Sequence, residues 1–184
     1  PWPQREWFGN SLLDARWVYV ALLHAHVQVD PLDEIAVQKY DLSKYKVIYA
    51  ITPILSRGAS LKLVDWVKSG GTLFTTAYGL ALDESLQANE ILRQILGLKK
   101  RDDPMTWRKD ADPTGLFGYE HPSSIYADAP KTFQPMTGTG IFSGSFAPKI
   151  GREVLKPGSD TEIMVKFADG GAAVTCCKVG GGKV

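Results

Sequence analysis

The fold is decided between residues 41 and 76. The stretch reads Asp41-Leu42-Ser43-Lys44-Tyr45-Lys46-Val47-Ile48-Tyr49-Ala50-Ile51, then Thr52-Pro53, and it closes on Trp66-Val67-Lys68-Ser69-Gly70-Gly71-Thr72-Leu73-Phe74-Thr75-Thr76. Residues 47–51 are continuously apolar, the pattern of a strand buried on both faces of a parallel sheet. Thr52-Pro53 ends that strand. Residues 58–69 place Leu61, Val64 and Val67 in helical register, and Gly70-Gly71 is a glycine stop. Residues 72–76 are rich in β-branched side chains and predict the next strand. One helix between two strands, with short links, predicts that 46–51 and 72–76 lie side by side and parallel in a three-layer α/β core.

Upstream, residues 11–25 predict a helix, capped by Ser11 with Asp14, with Leu13, Trp17, Val20 and Ala21 on one face. Residues 27–29 form a short strand candidate closed by Asp30-Pro31, and a loop follows. Downstream, a loop through Tyr78-Gly79 leads to a helix predicted over 84–96 and stopped by Gly97. Periodicity fades over 99–151, where Asp102-Asp103-Pro104, Asp112-Pro113 and His121-Pro122 are breakers. That segment reads as an irregular insertion with short strands inside a single domain of residues 1–184. Order returns with strand candidates at 153–155, 163–167 and 172–177. Asp169-Gly170-Gly171 marks a hairpin turn and Gly180-Gly181-Gly182 a second turn, so this end reads as an antiparallel extension of a mainly parallel sheet.

Composition bounds the partners. The 184 residues carry 21 Lys and Arg against 20 Asp and Glu, a net charge of +1, with 44% hydrophobic and 22% charged residues. No strong field draws nucleic acid or a membrane surface. No run of 18 apolar residues predicts a membrane-spanning helix. The chain starts at Pro1 and stops just after a glycine turn, which leads to the expectation of a domain excised from a longer chain. Its compartment is therefore left open.

Catalytic, metal and cofactor constellations are expected to be absent. A nucleophilic cysteine needs a base and an exposed, strained turn. Cys176 and Cys177 sit inside a predicted strand, where one reads as a small buried residue and the other as its neighbour. His24 and His26 are two apart near a helix end, not the three or four that one helix face needs for a shared metal. Glu120-His121 is an isolated pair in a loop. Asp33-Glu34, Asp83-Glu84 and Asp102-Asp103 read as solvated turn acids. Gly180-Gly181-Gly182-Lys183 lacks phosphate-loop spacing.

Two turns stand where open α/β sheets place their sites, just beyond strand C-terminal ends: Ser56-Arg57-Gly58 and Ala77-Tyr78-Gly79. The second reads Thr75-Thr76-Ala77-Tyr78-Gly79, without Cys or Ser at its apex. In the 99–151 segment, Trp107, Phe117, Tyr119 and Tyr126 stand among Pro, Gly and Asp, and they are the candidate interface residues. The alternative is that these rings cap a sheet edge.

The stretch from Asp41 to Ala50, followed by the helix and Gly70-Gly71-Thr72-Leu73, resembles the trimerisation domain of family 42 β-galactosidases. Val174-Thr175-Cys176-Cys177-Lys178-Val179-Gly180-Gly181-Gly182-Lys183-Val184 is similar to the way those domains end. The resemblance covers about residues 11–98 and 152–184. It implies a flavodoxin-like sheet of the class I glutamine-amidotransferase-like superfamily with its nucleophile lost. Ala77 then stands near the degenerate elbow position. It also implies a non-catalytic assembly role beside a catalytic barrel, with the parent chain and identical subunits as partners and no cofactor. A carbohydrate- or small-ligand-binding module of the same fold is the alternative, and a free-standing hydrolase the third reading.

Overall fold

Val47 pairs with Thr72, Ile48 with Leu73 and Tyr49 with Phe74, all in parallel register. The two strands expected from the opening stretch are therefore neighbours. The computed structural model describes residues 15–76, 79–101, 136–138, 142–146, 153 and 155–184. In chain order these residues form α1 (15–24), α2 (Glu34–Lys39), β1 (Val47–Tyr49), α3 (Arg57–Lys68), β2 (Thr72–Phe74), α4 (Glu90–Ile95), β3 (Leu98–Arg101), β4 (Met136–Gly138), β5 (Gly144–Phe146), β6 (Leu155–Pro157), β7 (Thr161–Phe167), β8 (Ala172–Val179) and β9 (Gly182–Lys183). They divide into two compact units, Pro1–Leu96 with Cys177–Val184, and Gly97–Cys176.

In the first unit β2 lies between β1 and β9, parallel to both, and the end of β8 runs antiparallel to β9. One face of these strands is covered. Leu73 and Ile48 point into a core with Val37 of α2, Leu63, Val64 and Val67 of α3, and Leu92 and Ile95 of α4. Helix α3 forms because Ser56 caps it, its side chain accepting from the Ala59 N–H, and because a stripe recurs at Ala59, Ser60, Leu63, Val64, Trp66 and Val67. Each fully buried Leu or Val there contributes about 1.5–3 kcal/mol. Leu61, expected in that stripe, is exposed. Gly70 adopts a φ of 118°, and its N–H donates to Val67 O, which ends the helix as expected.

The second unit is antiparallel. β3 pairs with β6, β6 meets β8 at Leu155 and Ala172, and β4 lies between β5 and β7. β7 and β8 are joined by the expected turn, where Phe167 N–H donates to Gly171 O, Gly170 N–H donates to Phe167 O, and Gly170 has a φ of 86°. The protein is thus mixed α/β. Its antiparallel share is wider than the C-terminal extension expected, because β3, β4 and β5 join it.

Several local expectations are corrected. Residues 27–29 are not a strand. His26, at a φ of 56°, closes α1 with a left-handed cap, and Asp30-Pro31 follows within four residues, leaving no room for a ladder. Helix α2 was expected to be loop. Asp33 nucleates it by accepting from Ala36 N–H at 2.7 Å. The helix expected over 84–96 starts only at Glu90, because Asp83 Oδ1 accepts from Ser85 N–H and Gln87 N–H, holding 83–87 as a turn, and Asn89 is the cap. Val47 and Tyr49 are each 42% exposed, so β1 is not buried on both faces. Trp17 is 65% exposed and does not form the inward face of its helix.

Candidate functional site

The motif fragments of the sequence converge on the C-terminal end of α3. Asp41 folds the entry loop by accepting from the backbone N–H of Ser43 at 2.9 Å and from its hydroxyl at 2.7 Å. These two bonds hold the Asp41 carboxyl below the usual carboxylate range. The turn drops Leu42 into the core at 2% exposure. Tyr45 O then accepts from the indole N–H of Trp66 at 3.3 Å. On the other side of the same helix end, Lys68 O accepts from Gly181 N–H at 2.8 Å, and Gly71 O accepts from Lys183 N–H at 3.2 Å. A β-carbon on Gly182 would overlap the carbonyl oxygens of Val67 and Gly71. The entry loop, the glycine stop and the last glycine turn are therefore one packing junction, and their residue types are set by backbone contact.

Beyond the C-terminal ends of β1 and β2, where such folds place reactive groups, the polar atoms are engaged in holding backbone. Thr75 Oγ1 donates to Ala50 O at 2.8 Å, and Thr52 Oγ1 donates to Ile54 O at 2.9 Å. Glu84 accepts from Arg57 N–H at 2.7 Å. Ser60 is fully buried; its hydroxyl donates to Ser56 O and accepts from the Asn89 amide at 2.8 Å, and that amide also donates to Leu55 O. Leu80 is 1% exposed at a φ of 60°, with its N–H bonded to Thr52 O, so this turn is pinned from below. Among the described residues these groups form no nucleophile–base pair at the strand ends.

The sequence-predicted positions divide in two. Ala77, Trp107, Phe117, Tyr119 and Tyr126 lie outside the described residues, as do Asp102, Asp103, Glu120 and His121. Cys176 is half-buried, Cys177 is buried, and both are free thiols. His24 and His26 are exposed. Asp33 caps α2 and Asp83 holds its turn. Among the described residues no three His, Cys, Asp or Glu are grouped to hold a metal ion, and no helix is long and apolar enough to cross a membrane.

Sequence reasoning missed an open surface. Val47, Tyr49 and Phe74 share the sheet face opposite the core, each about two-fifths exposed, and the Tyr49 and Phe74 rings stand 5.2 Å apart. Strict alternation was the signal that could have found it: Ile48 and Leu73 point inward, so their neighbours point out.

No known family profile matches the chain, and no curated protein matches it. Solved structures do. The chain is similar to a β-galactosidase from Bacillus circulans sp. alkalophilus, at 20% identity and a TM-score of 0.55, over 79% of this chain and 20% of that one. It is similar to a cold-adapted β-galactosidase from Rahnella sp. R3, at 17% identity and a TM-score of 0.64, over 90% of this chain and 22% of that one. It is also similar to a cytoplasmic protein from Salmonella typhimurium, at 14% identity and a TM-score of 0.56, over 92% of this chain and 72% of that one. These are likenesses of fold. The chain spans about a fifth of the length of these two β-galactosidases.

Proposed function

We propose that residues 1–184 are a non-catalytic assembly domain of a larger, glycoside hydrolase-like protein. The observation that carries this reading is the coverage. Most of this chain superposes on a small part of long β-galactosidase chains. The engagement of the Thr52 and Thr75 hydroxyls in holding backbone at the strand ends supports it. In this reading the fold is flavodoxin-like and amidotransferase-related, of the trimerisation-domain type, and Ala77 stands where a nucleophile elbow would be. Segment 99–151 is an insertion, and its Trp107, Phe117, Tyr119 and Tyr126 anchor contacts, since large aromatics bury much area at low entropic cost. The partners are the parent chain's catalytic barrel and identical subunits, and no cofactor is required.

The test is sedimentation of the parent protein carrying Trp107→Ala and Tyr119→Ala. Weakened assembly with an unchanged melting temperature is the expected result. Unaltered assembly removes the contact role from this segment. The isolated chain is expected to hydrolyse neither chromogenic galactosides nor glutamine. Turnover abolished by Cys176→Ala, Cys177→Ala or Glu120→Gln would overturn the non-catalytic reading.

A second reading is a carbohydrate- or small-ligand-binding module of the same fold. Saturable sugar binding by the isolated chain would select it.

A further inference from the structure

The open face of β1 and β2 continues onto two lysines. Lys183 pairs with Thr72, whose other partner is Val47, and Lys178 pairs with Lys183 across β8 and β9. Directly paired residues share a face, so Lys178 and Lys183 flank the apolar patch of Val47, Tyr49 and Phe74. Both lysines are exposed. Among the described residues the ion pairs join other groups, Lys44 with Asp30 and Arg93 with Glu90. Like charges directly opposite on a sheet are destabilising, and a carboxylate set between them would relieve both at once.

We propose that this face docks an amphipathic helix with acidic flanks, supplied by a protein partner. In an α/β fold with parallel strands, a sheet face, as distinct from a sheet edge, is covered by packing helices across it. The apolar stripe of that helix would lie over Tyr49 and Phe74, and its Asp or Glu side chains would reach Lys178 and Lys183. The chain's own exposed apolar helix, α1, is the wrong occupant. Residues 15–26 contain Arg16, His24 and His26 and no carboxylate, so the described residues of that helix bring no acid to the lysine pair. The inference deepens the assembly reading and rests on it for the existence of a partner.

The test uses the 184-residue chain and two labelled synthetic peptides, each about five helical turns long, with the same leucine stripe. One is flanked by glutamates and the other by lysines. By fluorescence anisotropy the glutamate peptide is expected to bind saturably and at least about tenfold more tightly than the lysine peptide. Lys178→Glu with Lys183→Glu should reverse that preference. Tyr49→Ser with Phe74→Ser should abolish binding while leaving the circular dichroism spectrum intact. Equal binding of the two peptides, or a preference that survives the charge reversal, overturns the proposal. So does self-association of the chain that Phe74→Ser abolishes, because a second copy would then hold the face. None of these outcomes bears on sedimentation of the parent protein, which decides the assembly reading separately.

Discussion

The indole ring of Trp66 lies against Gly71, so closely that a β-carbon on Gly71 would overlap the six-membered ring. The same indole donates its N–H to Tyr45 O. One side chain thus ties the end of α3 both to the loop before β1 and to the turn before β2. Gly71→Ala is expected to cost about 1–3 kcal/mol, the usual penalty of overpacking. Gly58→Ala is expected to stabilise by about 0.5 kcal/mol, since its β-carbon would meet only the Gln38 side chain and helix α3 gains an alanine. Urea titration of the two variants should give shifts of opposite sign.

Two tryptophans should report opposite environments. Trp66 is 7% exposed within the core, whereas Trp17 is 65% exposed on α1. Trp66→Ala should lose about 3–5 kcal/mol. Trp17→Ser should change stability by under about 0.5 kcal/mol and reduce the red-shifted part of the fluorescence emission. Thermal unfolding followed by emission measures both.

Asn89 is three things at once: the cap of α4, the donor to Leu55 O and the partner of the buried Ser60 hydroxyl. Asn89→Ala should cost about 1–3 kcal/mol, through the lost cap and the stranded buried oxygens. A double-mutant cycle with Ser60→Ala should be non-additive, because the two side chains share one bond.

The Asp41 turn predicts a pH dependence. Hydrogen bonds from Ser43 lower the folded-state pKa of Asp41. The stabilisation is therefore present above the unfolded carboxylate pKa, about 4, and is lost as pH falls through the lower folded value. The melting temperature of Asp41→Ala should lie below that of the unsubstituted chain at pH 7, and the gap should narrow as pH falls below the ordinary carboxylate pKa of about 4.

Much of the first unit was legible because local and tertiary preferences agree there. The Val47–Ile51 run, the helix stripe and the Gly70-Gly71 stop each point to parallel strands joined by a helix, and Val47–Thr72 pairing follows. The failures have local causes. A polar side chain that bonds nearby backbone overrides periodicity, as Asp33 does in starting α2 and Asp83 does in delaying α4. The apolar run of β1 says that it is a strand, but burial depends on what packs above it, and that is decided by other elements. The surface at Val47, Tyr49 and Phe74 was hidden for this reason. So was the lysine pair, which exists only because β9 brings Lys183 against Lys178.

The position of β9 has a consequence for biosynthesis. It follows β8 in the chain, yet it fills the slot between β2 and β8. On the ribosome, β1 and β2 emerge long before Gly182 and Lys183, and until those residues arrive the free edge of β2 offers unpaired backbone groups to any neighbouring nascent chain. Closing so distant a pairing is slow, because a long loop must be ordered before the contact forms. Between translation of Phe74 and of Lys183 the β2 edge is therefore open to misplaced strand pairing.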